Sequence, residues 1–300
     1  MNLLPAIAPV SLIIFFGFIA GRTLTLERQT LSQLTIYILV PALIAESLYN
    51  TKLSAQSTTG LVVGYLLATL AIYLITSAMA KLLKFPPQVQ KSLIATTLFA
   101  NNGNMGLPLI TFALGTEGLE RAIVYLIAAS IMMAAVGPAL LKGEGLVTGV
   151  KLTLKLPLLW AMLGGLGLRV LKVELPLRLD EGLGMLGQAS IPIALVILGM
   201  QLAQTSLSLG QYEVFASAMR LLLAPGITYG VGIALGLTGL DLQVLVMQGA
   251  MPTAVNTLVW VAEFGGDPPR VARTIIVSTL MSFLTIPLVL SVVNAQLNLS

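Results

Sequence analysis

The sequence predicts an all-α membrane protein whose ten transmembrane helices form two inverted five-helix repeats. Three observations carry that expectation. First, 57% of the 300 residues are hydrophobic and only 9% are charged, against about 45–50% and about 25% in soluble domains. The mean hydropathy is +0.96, and so few charges cannot cover so much apolar surface in water. Second, apolar runs of roughly the 20 residues that a helix needs to cross a bilayer recur along the whole chain. Third, features of the first half return in the second at an offset of about 150 residues, the mark of an internal repeat.

Charges and Gly/Pro clusters divide the chain into runs near 3–21, 31–49, 59–80, 91–115, 120–141, 156–173, 181–203, 211–236, 241–265 and 270–293. The first follows Met1-Asn2-Leu3-Leu4-Pro5, which lacks a basic flank, so it reads as a retained span and not a signal peptide. The second carries Pro41 in Val40-Pro41-Ala42-Leu43, and the seventh carries Pro192 in Ile191-Pro192-Ile193-Ala194. The fourth is an apolar run broken by small and polar residues and a proline; a turn at Gly115-Thr116-Glu117 leads into the fifth. The ninth and tenth repeat that order, with their turn at Gly266-Asp267. No connection is long enough for a soluble domain, so function must sit in the membrane. Five spans per copy put the second copy, residues 151–300, upside down relative to residues 1–150. Inverted repeats of this kind are typical of secondary transporters, with the site at mid-membrane where corresponding helices are interrupted.

Orientation follows from the basic residues. With the N-terminus outside, the inner connections hold Arg22, Arg28, Lys81, Lys84, Lys91, Lys142, Lys151, Lys155, Arg270 and Arg273, ten in all. The outer ones hold five: Lys52, Arg121, Arg169, Lys172 and Arg178. Both termini are therefore expected outside a plasma (inner) membrane that the chain crosses many times. The net charge of +4 is dispersed, with no basic run to track phosphates, so nucleic acid is not an expected partner. The chain contains no Cys and no His, which removes thiol nucleophiles, disulfides, the usual zinc sites and His acid–base chemistry. No metal, cofactor or enzymatic activity is expected. Nor is there a phosphate-binding loop for ATP-driven transport.

The fourth span contains Phe99-Ala100-Asn101-Asn102-Gly103-Asn104-Met105-Gly106-Leu107-Pro108. Three asparagines, two glycines and a proline make a poor helix. Pro108 has no N–H and clashes with the carbonyl of Asn104, and it pushes Leu107 toward extended geometry. The ninth span repeats the break more mildly in Gln248-Gly249-Ala250-Met251-Pro252-Thr253-Ala254-Val255-Asn256-Thr257, where Pro252 frees the carbonyl of Gln248. Bare backbone is tolerated at membrane depth only inside protein or beside a wet cavity. Half-helices offer N–H groups and positive dipole ends to an anion; freed carbonyls and Asn amides suit a cation or a hydroxyl. The expected substrate-binding residues are Asn101, Asn102, Asn104, Pro108, Pro252, Asn256 and Thr257.

Two charges merit separate reading, because each costs about 2.5–3.5 kcal/mol at the bilayer centre. Arg220, within the eighth span, would attract an anionic substrate, hold the moving helices together, or snorkel to the inner surface. Glu46, five residues after Pro41, is a candidate proton carrier or an interfacial carboxylate. The small-xxx-small pairs Gly60/Gly64, Gly226/Gly230 and Gly232/Gly236 let helices approach closely.

The Asn101–Pro108 run, the Pro252 segment ending in Ala262-Glu263-Phe264-Gly265, and Leu198-Gly199-Met200-Gln201-Leu202 resemble the auxin efflux carrier family over nearly the whole chain. The resemblance implies the inverted-repeat fold shared with bile-acid sodium symporters and sodium/proton antiporters. In that fold helices 4 and 9 cross and substrate binds beside the crossing. Helices 1, 2, 6 and 7 form a scaffold, and helices 3–5 and 8–10 form a moving transport domain. It maps the substrate-site asparagine of plant members onto Asn101 and the crossing prolines onto Pro108 and Pro252. The chain departs from plant members in lacking a long loop between spans five and six. It resembles compact prokaryotic members, associated with carboxylates such as malate or malonate; auxin is not implied. The crossing segments hold no Asp, Glu or Lys, unlike sodium/proton antiporters of this fold.

The expected function is thus secondary transport of small organic anions by alternating access. Proton or sodium coupling and a homodimer both stay open. The alternatives are a receptor or channel on the same fold, or an intramembrane aspartyl enzyme built on Gly265-Gly266-Asp267, which would need a second membrane carboxylate.

Overall fold

A computed structural model describes residues 4–143, 145–204 and 209–297. Helix α1 (Leu4–Thr23) is followed by α2 (Arg28–Leu34) and α3 (Val40–Asn50), joined into one run by a π turn at Thr35–Leu39. Helix α4 (Ala55–Leu82) is capped by Ser54, whose hydroxyl accepts the Ser57 N–H at 3.1 Å. Helix α5 (Pro87–Leu98) stops short, and after a π turn at Asn102–Gly106 the chain continues as α6 (Leu107–Lys142). A straight helix of that length would measure about 54 Å, well beyond a hydrocarbon core of roughly 30 Å. Gly115 interrupts it at φ 69° and ψ −164°, a conformation that needs glycine, at the turn read from the sequence.

The second half contains α7 (Leu146–Leu154), α8 (Pro157–Val170), a 3₁₀ turn at Pro176–Arg178 and α9 (Leu179–Ala203). Next come α10 (Gln211–Ala218), a π turn at Met219–Leu223, α11 (Ala224–Ala234), α12 (Gly239–Gly249), α13 (Thr257–Phe264) and α14 (Pro268–Leu297). The 63° bend between α7 and α8 sets α7 apart from the expected sixth span. Its nine residues are too short to cross, and the sequence reading left them in a connection.

Among the described residues, six helical runs are long and apolar enough to cross a membrane: Arg28–Asn50, Ala55–Leu82, Asn102–Lys142, Pro176–Ala203, Gln211–Ala234 and Pro268–Val293. The bent pair α7–α8 makes a seventh if counted as one span. The expected ten are not reached by length alone, for a physical reason. The fourth expected span is α5 plus the start of α6, and the ninth is α12 plus α13; each is two short helices around non-helical backbone. The first is apolar but shorter, over Ile7–Thr23.

Each of the three π turns ends two residues before a proline: Pro41, Pro108 and Pro225. Because proline has no N–H and crowds the carbonyl four residues back, the ladder shifts by one residue. Val40 N–H reaches Thr35 O, Leu107 N–H reaches Asn102 O, and Ala224 N–H reaches Met219 O. This corrects the expected geometry at Pro108. Leu107 is helical (φ −59°, ψ −53°) and Pro108 sits in the first turn of α6, because the widened turn absorbs the clash that would have driven Leu107 extended.

The largest buried cluster joins Val10 and Ile14 of α1 to Leu43 and Ile44 of α3, Ile110 and Ile123 of α6, Leu195 and Leu198 of α9, and Val244 and Met247 of α12. Phe15, Phe16, Leu66, Leu70, Leu284 and Leu288 point outward, as a lipid-facing surface requires. One of the tightest helix contacts is made by Gly17 and Gly199, to which the sequence reading gave no packing role. A Cβ on Gly17 would lie 2.4 Å from Val196 O, and one on Gly199 would lie 2.1 Å from Ile14 O, so α1 and α9 touch backbone to backbone. Of the pairs singled out from sequence, Gly60, Gly64 and Gly232 face leucine side chains, whereas Gly226 and Gly230 meet nothing within 4 Å.

Two groups of polar contacts tie the helices together. In one, Arg121 pairs with Asp241 at 2.6 Å, Thr51 donates to Glu120 at 2.9 Å, and Arg169 donates to Thr51 O. In the other, Arg273 pairs with the buried Glu213 at 2.8 Å, and Arg270 pairs with Asp267 at 3.0 Å. Asp267 N–H donates to Ser92 Oγ at 2.7 Å. Gly199→Ala is expected to cost about 1–3 kcal/mol through overpacking, read as a lowered melting temperature in detergent. Gly167→Ala, at a site with nothing within 4 Å, should hold its stability.

Candidate functional site

The last regular hydrogen bond of α5 runs from Phe99 N–H to Ala95 O at 3.0 Å, and beyond it the chain is extended at Phe99 (φ −89°, ψ 94°). Residues 250–256 between α12 and α13 are likewise non-helical. The milder-looking sequence break is therefore the longer one. It does not release Gln248 O, which accepts Met251 N–H at 3.3 Å.

The two interruptions satisfy each other. Ala100 and Thr253 form an antiparallel bridge: Asn101 N–H donates to Pro252 O and Ala254 N–H donates to Phe99 O, both at 2.8 Å. The Thr253 hydroxyl donates to Thr96 O at 2.8 Å, and Thr253 N–H donates to Ser278 Oγ of α14 at 3.2 Å. Each such pairing matters because an unsatisfied backbone group away from water costs several kcal/mol.

Three further carbonyls of the two interruptions are taken by Arg220. Its Nε donates to Met251 O at 2.8 Å, Nη1 to Thr97 O at 2.6 Å, and Nη2 to Gly249 O. Arg220 is 2% exposed, which rules out the snorkelling reading. Among the described residues no carboxylate pairs with it. It holds the backbone of both interruptions together from the π turn at Met219–Leu223, and the sequence alone could not name those partners.

Beside the bridge lies a cavity of about 260 Å³. Asn101, Asn102, Gly103 and Asn104 form one wall and Ala254, Val255 and Asn256 another; Thr35, Tyr65, Ser130 and Trp260 complete its polar and aromatic lining. Among the described residues no Asp, Glu, Lys or Arg lines it. Asn101 Nδ2 and Asn102 Oδ1 are buried with no protein partner, a donor and an acceptor on two residues that line the cavity. The N–H groups of Gly103 and Asn104 make no hydrogen bond among the described residues, as expected in the first turn of a helix. Here they precede the long α6, so the positive end of its dipole meets the cavity.

Of the residues expected from sequence, Asn101, Asn102, Asn104 and Asn256 thus share one cavity. Pro252 contributes its carbonyl to the bridge, and Pro108 is buried at the start of α6. Thr257 is fully buried at the start of α13, its hydroxyl without a partner. None of these three lines the cavity. Glu46 lies apart, half-buried, accepting from Asn50 Nδ2 at 3.0 Å. Sequence reasoning missed Thr35, Tyr65, Ser130 and Trp260. The signal for Thr35 was Pro41, whose π turn bulges Thr35 and Ile36 toward the cavity.

The sequence model described as membrane transport protein matches residues 3–147 and 146–290. An uncharacterized transporter of Methanothermobacter thermautotrophicus is 29% identical over 87% of this chain and 88% of its own. A putative malonate transporter of Rhizobium meliloti is 25% identical over 91% of this chain and 90% of its own. Auxin efflux carrier component 1 of Arabidopsis thaliana is 25% identical over 37% of this chain and 18% of its own.

Proposed function

The chain belongs to the membrane transport protein family, that of the auxin efflux carriers, and is a membrane transporter; we propose that it carries small organic anions, carboxylates above all, by alternating access. The observation that carries this reading is the cavity at the paired interruptions, walled by four asparagines and bearing no charged side chain among the described residues. Its amides and the free N–H groups of Gly103 and Asn104 are donors suited to a carboxylate. About 260 Å³ lies below the roughly 300–1,000 Å³ of pockets for drug-sized ligands, which favours a small metabolite. The similarity to a protein named as a putative malonate transporter makes malonate the first probe.

Alternating access needs two bodies. In this reading residues 1–150 and 151–300 are inverted repeats of five spans, with the fourth and ninth crossing at the Ala100–Thr253 bridge. The matching turns at Gly115 (φ 69°) and at Gly265 and Gly266 (φ 106° and 142°) support the repeat. The scaffold would comprise spans 1, 2, 6 and 7 and the mobile part spans 3–5 and 8–10. Thr35 from the scaffold and the asparagines from the mobile part then face one another across the substrate. Both termini would lie outside the plasma membrane.

Proteoliposomes holding the full chain should take up malonate saturably. Asn101→Ala should lower uptake at least tenfold with normal folding, because a hydrogen bond to a charged ligand contributes up to about 3 kcal/mol, more than a hundredfold in affinity. No saturable uptake of malonate or other small carboxylates would defeat the proposal. Orientation is testable because the chain has no native cysteine. A membrane-impermeant thiol reagent should label Lys52→Cys in intact cells and leave Lys81→Cys unlabelled until the membrane is opened; the opposite pattern would invert the topology.

A further inference from the structure

Among the described residues Arg220 stands out as a buried cation whose hydrogen-bond partners are all backbone carbonyls. Thr97 lies in the last turn of α5, Gly249 is the last residue of α12, and Met251 follows two residues on. In an unbroken helix these carbonyls would bond N–H groups four residues ahead. Asn101 N–H is instead given to Pro252 O, and Thr253 N–H to Ser278 Oγ. The breaks thus aim three orphan oxygens, at the negative ends of two helix dipoles, at one point. Oxygens converging in this way form the coordination shell of a cation. The guanidinium fills it with three separate N–H groups, reaching in from a third element 29 to 123 residues away in the chain.

We propose that this carbonyl cage is a monovalent-cation site permanently occupied by the tethered guanidinium of Arg220. The two interrupted helices are held together by a cation that never leaves. Deleting the side chain turns the cage into an exchangeable site for free guanidinium-type or alkali cations. One consequence rests on the transport reading above: the anion crosses without a metal cation at this point, and its own charge sets the difference between the loaded and empty carrier.

The test is thermal unfolding of the purified full-length protein in choline, sodium, potassium or low-millimolar methylguanidinium chloride at matched ionic strength, without substrate. The wild type should melt at the same temperature in all four. Arg220→Ala should melt lower in choline and recover a large part of the loss, saturably, in methylguanidinium, with a smaller gain in sodium or potassium. Arg220→Met, which fills the same space with an apolar chain, should melt low in all four. Arg220→Lys, which keeps a tethered charge, should stand above Arg220→Met and show no cation response. If Arg220→Ala accumulates only when extracted in methylguanidinium, the yield gives the same answer. An Arg220→Ala protein that no cation recovers, by yield or by melting, overturns the proposal. So does a cation response no greater than that of Arg220→Met, or a wild type stabilised saturably by sodium or potassium. Because no substrate is present, these outcomes are independent of malonate uptake: a carrier that ignores malonate leaves them intact, and a working carrier does not rescue them.

Discussion

Everything distinctive about this protein follows from breaking two helices where water cannot repair the break. Each interruption strips backbone groups of partners at a depth where a bare N–H or C=O costs several kcal/mol. The solution is mutual. Two extended stretches pair through Asn101, Phe99, Pro252 and Ala254, and three further carbonyls converge on Arg220. Once they are secured, the chain can afford three asparagines and two glycines within six residues where a helix would otherwise bury leucines.

Prolines repeat the same logic on a smaller scale. Pro41, Pro108 and Pro225 each shift the hydrogen-bond ladder into a π turn, and each turn delivers something to the centre. The first presents Thr35 and Ile36 to the cavity, the second presents Asn102, Gly103 and Asn104, and the third carries Arg220 to the carbonyls. Around this polar centre the packing is dry and close. Glycines at 17 and 199 bring α1 against α9 backbone to backbone, while ion pairs tie helices together. Close packing around a centre interrupted by prolines suits the relative movement that the proposed alternating access requires.

Much of this was legible in the residues. Composition and span length gave the all-helical membrane class. The Asn101–Pro108 run marked its own break, because so many helix-unfriendly residues together admit no other reading. The offset of the two Gly-acid turns pointed to matching positions in each half. What escaped had one common cause: it depends on partners that carry no side-chain signature. Arg220 read as a residue free to snorkel because its ligands are backbone carbonyls. The second break looked mild because Ala250, Ala254 and Val255 are ordinary apolar residues; the segment is unwound by the pairing of Pro252 O and Ala254 N–H with the first break. Tyr65, Ser130 and Trp260 come from separate helices, and their convergence exists only in the fold. Helix α7, nine residues long, was too short to stand out from a connection.

The central claim is that the asparagine-walled cavity is where the transported anion sits. Ser130 lines that cavity without belonging to the break, and in a chain without cysteines Ser130→Cys gives a unique reporter. The decisive measurement is its rate of alkylation by a small thiol reagent, in proteoliposomes, against malonate concentration. The account predicts saturable protection, at concentrations matching those that half-saturate uptake, and none when Asn101→Ala is also present. Alkylation that malonate leaves unchanged, in vesicles that still transport it, would place the substrate elsewhere.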